Sequence, residues 1–399
     1  MIHPSVEANE GLDRFLAERA PELREFRRDL HAHPELSWHE HRTTNQVRER
    51  LAEAGIESRP LVTDTGLRVD LGEGDGPVVL LRGDIDALAL DDEKEVPYRS
   101  TVPGVCHGCG HDVHTTVLLG ALLALHELGI GPTGRVRALF QPAEEAIPGG
   151  AERLADTDLM DGVSVVYAMH CDPSLETGKV GMRTGPITSA ADRVRVRLHG
   201  PGGHTARPHL TTDLVGLTGK VITDLPPGLA RLTDVRDGAT LVFGSVQSGT
   251  AANVIPTHAE VAGTLRVRGR GAWEAAPELL ERLLDGLVAP WGATYELEYL
   301  RGSPPIENDE KATEVLAGAV QAALGPAAVT AAEQSVGNED FSWLLERAPG
   351  SYARLGVRPP GDGGQLDIHS SVFDVDEEAI GVGVRVFVHA ALAGLVAYV

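Results

Sequence analysis

Apolar residues recur at helical spacing from Leu12 through Phe15, Leu16, Leu23 and Phe26 to Leu30, which predicts a first helix ended by His33-Pro34. A second helix is predicted over Thr43–Ala54, closed by Gly55. The pattern then shortens into β-like runs, Gly66–Leu71 and Val78–Leu81, divided by Asp75-Gly76-Pro77. Val78-Val79-Leu80-Leu81 has no polar position, which suits a strand buried on both faces. A helix over Thr115–Leu128 with Gly129 as its stop follows, then strands over Val136–Phe140 and Val163–Met169. This alternation predicts an α/β layered domain with a mostly parallel sheet.

The pattern changes near Thr188. Arg193-Val194-Arg195-Val196-Arg197-Leu198 alternates with period two, as a half-exposed antiparallel strand does. A helix over Thr212–Leu225, strands over Thr240–Val246 and Ala259–Arg266, a helix over Trp273–Leu287 and a strand over Ala293–Tyr299 complete a small α+β unit. After Pro304-Pro305 the longer helical patterns return. The middle unit therefore reads as an insertion, 189–302, into a discontinuous domain of 1–188 plus 303–399.

Charge narrows the partners. The chain of 399 residues has 35 Lys and Arg against 58 Asp and Glu, a formal net charge of −23. Its lysines are Lys94, Lys179, Lys220 and Lys311. Neither nucleic acid nor an anionic membrane surface is expected as a partner, because both need clustered cations. The apolar tail Ala379–Val399 contains Arg385 and His389 and reads as a buried helix instead of a membrane anchor. Met1–Arg28 lacks the uninterrupted apolar stretch of a secretory leader. Three cysteines do not make a disulfide framework, so a reduced, cytoplasmic setting is expected.

Candidate chemistry lies in four separate segments. Cys106-His107-Gly108-Cys109-Gly110-His111-Asp112-Val113-His114 stands before the Thr115 helix and is rich in potential ligands. It supports three readings: a redox dithiol on the C-x-x-C pair, a metal site using Cys109 and His111, or a glycine-rich loop with solvated histidines. A c-type haem is excluded, since Gly110 stands where a histidine is needed. Glu144 and Glu145 follow a predicted strand end, the usual place for active-site groups in a parallel sheet. One could bind metal while the other serves as general base, although a solvated surface pair has the same appearance. His170 and His369 add two more candidates. Cys109, His111, Glu145, His170 and His369 make five possible ligands, one more than a tetrahedral structural zinc needs. Two metals sharing a bridging ligand would account for the excess.

These segments, together with Arg27-Arg28-Asp29-Leu30-His31-Ala32-His33-Pro34-Glu35, Arg82-Gly83-Asp84-Ile85-Asp86-Ala87-Leu88, Gly202-Gly203-His204, Asn253-Val254-Ile255-Pro256 and Gly337-Asn338-Glu339-Asp340-Phe341, occur in one order along nearly the whole chain. In that order they resemble the aminoacylase-like peptidase family M20, in particular its amidohydrolase branch. The resemblance implies a zinc-exopeptidase-like α/β catalytic domain interrupted by a lid and dimerisation domain. It implies two divalent metal ions per chain, zinc before manganese, cobalt or nickel. Cys109 would bridge them as a thiolate, with His111, Glu145, His170 and His369 as the other ligands. Glu144 would deprotonate the bridging water and then protonate the leaving amine, and Asp86 would support a metal ligand. His204 would stabilise the oxyanion across a dimer interface. Asn253 and Arg266 would hold the substrate, Arg266 through its carboxylate.

The implied reaction is hydrolysis of an N-acyl amino acid to a carboxylic acid and an amino acid by a homodimer or tetramer. An N-acetyl-diaminopimelate-type deacetylase, a dipeptidase of the same mechanism and a non-catalytic binding relative are the alternatives. Cys106 stands where many relatives have Met, and Ala89 where Pro is usual, which bears on the pocket and not on the ligands.

Overall fold

A computed structural model describes residues 6–129, 134–364 and 367–399. The start of the N-terminal segment read above, Met1–Ser5, lies outside the described residues. The chain divides into two compact units. The first comprises Met1–Ile187, Glu307–Glu333 and Asp340–Val399, and the second Thr188–Ile306 and Gln334–Glu339.

The described helices are α1 (Val6–Ala32), α2 (His41–Glu53), α3 (His111–Leu128), α4 (Leu214–Leu232), α5 (Arg270–Val288), α6 (Glu310–Leu324) and α7 (Glu378–Ala397), besides shorter turns. The strands of the two main sheets are β1 (Ser58–Pro60), β2 (Leu67–Leu71), β3 (Val78–Asp84), β4 (Arg135–Gln141), β5 (Val163–Glu176), β6 (Val180–Met182), β7 (Ala190–His199), β8 (Ala239–Ser248), β9 (His258–Val267), β10 (Thr294–Leu300), β11 (Val329–Ala331) and β12 (Gly350–Arg358).

The first unit is built on an eight-stranded sheet in the order β1-β2-β4-β3-β5-β12-β6-β11. Its centre, β4-β3-β5-β12, is parallel throughout, whereas β1, β2 and β6 pair antiparallel with their inward neighbours. All of β3 is buried, as its unbroken apolar run requires, and it ends in Asp84. The sheet is thus mostly parallel and sits in a mixed α/β unit, as the sequence pattern predicts.

Three helices are worth singling out. α3 begins at His111, four residues before the predicted start. Gly110 is its N-cap with φ +87°, a conformation natural only to glycine. His111 and His114 therefore lie in a rigid first turn and not in a loop. α7 is the one described helix long and apolar enough to span a bilayer, yet 67% of its apolar window is buried against this unit's core. It packs on α3, α6 and β3 as a core helix. α4 runs past its predicted end at Leu225 and through Pro226-Pro227 to Leu232, because Leu225 and Leu229 are both buried on one face.

In the second unit the four-stranded antiparallel sheet runs β8-β9-β7-β10. The buried sides of α4 and α5, with Leu217, Val221, Leu225, Trp273, Leu280 and Leu284, form its core with Val194, Val196, Leu198 and Leu265. This unit also takes in 334–339, which the sequence boundary of 189–302 leaves out. The segment is tied in by hydrogen bonds: Gln334 Nε2 donates to Thr188 O and Arg268 O, and Asn338 Nδ2 to Ser189 O and Ser303 O.

Candidate metal centre

Every side chain of the proposed ligand set belongs to the first unit. Glu145 and His170 lie at or near the carboxyl end of a parallel strand, Cys109 and His111 at the start of α3, and His369 in the loop between β12 and α7. Asp86 follows β3, and Glu144 and Glu145 follow β4. His170 lies in β5 two residues beyond its last pairing with β3, Ala168 against Arg82. Cys109 and His111 flank the left-handed Gly110. His369 is itself left-handed at φ 61°, and its amide donates to Gly108 O at 2.7 Å.

The donor atoms converge. Cys109, His111 and His170 offer ligand atoms all within 4.8 Å of one another, and so do Cys109, Glu145 and His369. His111, Glu144 and Glu145 make a third such group. Cys109 is common to the first two. Its Sγ lies 3.3 Å from His170 Nε2, and His369 Nε2 lies 3.2 Å from Glu145 Oε1.

The imidazoles are held in register from behind. His111 Nδ1 faces Asp86 O (3.0 Å) and Asp86 Oδ1 (3.2 Å), so Nδ1 is held from behind and Nε2 is the nitrogen directed inward. His170 Nδ1 donates to Cys171 O at 2.8 Å and likewise presents Nε2. Burial then His114 and Arg354 push the His170 imidazole well down, so it stays neutral. Burial would also depress His111, but Asp84, Asp86 and Glu145 outweigh it and hold the imidazole up to about 10. The local field is strongly negative and favours a cation.

Two atoms test whether metals fit. His111 Nε2 is buried without a hydrogen-bond partner, and buried Glu145 Oε1 meets no donor but the His369 ring nitrogen at 3.2 Å, which is costly for polar atoms unless something coordinates them. Thiolate, imidazole and carboxylate oxygens within these distances are a donor set that suits zinc and other borderline divalent ions. The residues fit the implied pair of metals.

Asp86 does more than support one ligand. It is fully buried, and its Oδ2 accepts the Glu145 amide (3.0 Å) and the Ser37 hydroxyl (2.7 Å). A single carboxylate thus orients one candidate ligand's ring and another's backbone. Asp84 and His114 were not among the candidates from sequence. Asp84 Oδ1 accepts from His114 Nδ1 (2.6 Å), Arg82 Nη1 reaches Asp84 Oδ2 (2.5 Å), and Cys171 N donates to His114 Nε2 (2.8 Å). Both His114 nitrogens are used, so it braces β5 behind His170. The signal was present in Arg82-Gly83-Asp84 and in the last residue of the cysteine motif, but neither shows burial.

Cys106 does not enter any of these donor groups. It is fully buried, and burial pushes its thiol up to about 11, which keeps it protonated. A reactive dithiol needs the opposite. His107, also fully buried, joins no donor group. All three cysteines are buried.

The remaining candidates lie in the second unit. His204 pairs with Val254 in a short antiparallel ladder, and its Nδ1 accepts the Ala206 amide at 3.0 Å. Asn253 O accepts from Thr205 N at 3.3 Å. Arg266 is exposed on β9 and donates to Val336 O at 2.7 Å.

Residues 80–393 match the sequence profile of peptidase family M20/M25/M40. The chain belongs to this family, within its amidohydrolase branch. A Rhodococcus jostii (strain RHA1) protein named for a glutamate–cysteine ligase is 47% identical over 366 residues, which are 92% of this chain. The chain spans only 46% of that relative's length. The N-acetylcysteine deacetylase of Bacillus subtilis (strain 168) is 36% identical over 369 residues, 92% of this chain and 95% of that one. The N-acyl-L-amino acid amidohydrolase of Geobacillus stearothermophilus is 39% identical over 301 residues, 75% and 81% of the two chains. The crystal structure of the Bacillus subtilis YxeP protein, described as a dinuclear metal-binding peptidase of the M20 family, aligns with a TM-score of 0.81 at 34% identity, over 94% of this chain and 98% of that one. Fold, donor groups and relatives define a metal-dependent hydrolase of this family.

Proposed function

We propose that the protein hydrolyses the amide of an N-acyl amino acid, releasing a carboxylic acid and an amino acid. The observation that carries this is the pair of donor groups sharing Cys109, with Glu144 beside them in the third group. Cys109, His111, Glu145, His170 and His369 would hold two divalent ions, with zinc the best match to thiolate and imidazole. When bound, such a pair activates water and polarises the substrate carbonyl.

The chain's own groups do the rest. Glu144, mostly buried with only 8% of its side chain exposed, takes the proton of the attacking water and returns it to the leaving nitrogen. Asp86 keeps His111 and Glu145 in register. His204 of a partner copy supplies the oxyanion donor, and Asn253 and Arg266 hold the amino-acid end, Arg266 pairing with its carboxylate. A homodimer built through the second unit accommodates that role. Edge strand β8 supports it with exposed Val242 and Val246. The setting is cytoplasmic, where Cys109 stays reduced.

The test is Glu144→Gln. It should bind two metals per chain by elemental analysis and lose at least about a thousandfold in kcat with N-acyl amino acids, in keeping with a general base. Retained turnover would remove Glu144 from this role. An acyl-by-amino-acid activity matrix, including acetyl, benzoyl and dipeptide substrates, assigns the substrate.

A further inference from the structure

Glu40 is fully buried far in sequence from the ligands, yet its carboxylate ends at the turn that carries Glu144. Oε1 accepts the Ala143 amide at 2.8 Å and the Trp38 amide at 3.0 Å. Oε2 accepts the Thr65 hydroxyl at 2.8 Å. Trp38 and Ala143 are both left-handed, at φ 68° and 53°. Few side chains other than glycine adopt this conformation without being held there. One buried oxygen holds both.

Position makes this more than incidental. Glu40 is the N-cap of α2, where a carboxylate would ordinarily accept the helix's own first amides. It makes no such bond. Glu35 serves that end instead, accepting from Arg42 N at 2.9 Å and Thr43 N at 2.8 Å. The Glu40 side chain is thereby left to reach the other loop. A second contact reaches Trp38 from the short helix Gly150–Leu154 that follows the turn: the Arg153 guanidinium lies 4.2 Å from the Trp38 ring centroid. On the far side of the turn, Asp86 takes the Glu145 amide at 3.0 Å. Ala143 and Glu145, the residues on either side of Glu144, are thus each fixed by a buried carboxylate from a different segment.

We propose that Glu40 is a positioning residue for the amide hydrolysis, clamping Ala143 in its left-handed conformation so that Glu144 is aimed at the reacting atoms. The proposal rests on Glu144 being the base. Burial, then Asp86, pushes the Glu40 carboxyl up to about 7. What matters in the clamp is reach and an acceptor oxygen, not charge.

Two substitutions separate these. Glu40→Asp keeps the charge and loses one methylene of reach. Glu40→Gln keeps the reach and an acceptor oxygen and loses the charge. Glu40→Asp should lower kcat by about tenfold to a hundredfold, the range expected when a catalytic group is misplaced, with KM within about twofold. Glu40→Gln should restore kcat to within about threefold of wild type.

Amide hydrogen exchange at Ala143, read by NMR or by mass spectrometry of its peptide, should be faster in Glu40→Asp and unchanged in Glu40→Gln. Thr65→Val removes the other partner and serves as the control for lost stability; its kcat should stay near wild type. The clamp is overturned if Glu40→Asp behaves as wild type, if Glu40→Gln is the more damaged of the two, or if Thr65→Val lowers kcat as much as Glu40→Asp. Activity in Glu144→Gln would sink the base assignment instead, and the Ala143 exchange rate would still decide the clamp.

Discussion

Single residues at the metal centre are set by what lies behind them. His111 and His170 each give one nitrogen to a backbone or carboxylate partner and turn the other toward the shared donor group. Asp86 orients both His111 and Glu145, so Asp86→Ala should weaken metal binding by about tenfold to a hundredfold, measured by competition with a chelating dye. Wild-type affinity in that variant would strip Asp86 of its supporting role. Gly110 shows a different constraint. Its φ of +87° needs glycine, and a Cβ there would sit 2.8 Å from Cys171 Sγ. Cys109 and His111 could be named as candidates from the motif, because donor chemistry belongs to each residue. Asp84, His114 and Glu40 could not, because an acidic or imidazole side chain on a page carries no sign of being buried.

At the scale of elements, the helices pack through glycines. A Cβ on Gly383 of α7 would meet Val117 of α3 at 2.7 Å, and one on Gly120 of α3 would meet Val384 of α7 at 2.7 Å. Gly383 and Gly120 are thus points where two core helices touch. Gly383→Ala should overpack this crossing and cost about 1–3 kcal/mol, read as a lower Tm. An unchanged Tm would show that the crossing can widen freely.

Strands β2 and β4 are pinned by a cross-strand pair. Asp70 lies opposite Arg137, whose Nε donates to Oδ1 at 2.7 Å, while Arg68 Nε donates to Oδ2 at 2.6 Å. Burial alone would raise the Asp70 carboxyl, but these hydrogen bonds outweigh it and hold it below the usual range. A depressed carboxyl adds stability above its unfolded value and loses it as pH falls through the folded one. Asp70→Asn should therefore destabilise the protein at neutral pH by about 3 kcal/mol, and the gap to wild type should close on acidification below about pH 4. Chemical denaturation across that range checks the sign.

For the whole molecule, metal binding and folding are coupled. The donors shared around Cys109 come from segments as far apart as residues 109 and 369, all in the first unit. Ions held there favour the folded chain by mass action, by about 4 kcal/mol for a site kept a thousandfold above its Kd. Chelation should lower the calorimetric Tm by several degrees, and restored zinc should return it; an unmoved Tm would mean that the donor groups bind no ion.

The sequence by itself determined the α/β alternation, the candidate donors and the family, because periodicity and ligand chemistry are local properties that spacing preserves. Even there, α3 begins earlier than its apolar pattern and α4 continues through two prolines, since a left-handed cap and a buried face override local preference. Only the tertiary structure decided that Cys109 is common to two donor groups. It alone showed that residues 334–339 belong with the second unit and that Glu40 reaches Ala143 across 103 positions of chain. Those facts depend on distance through space and on exclusion of water, and neither is written in the order of the residues.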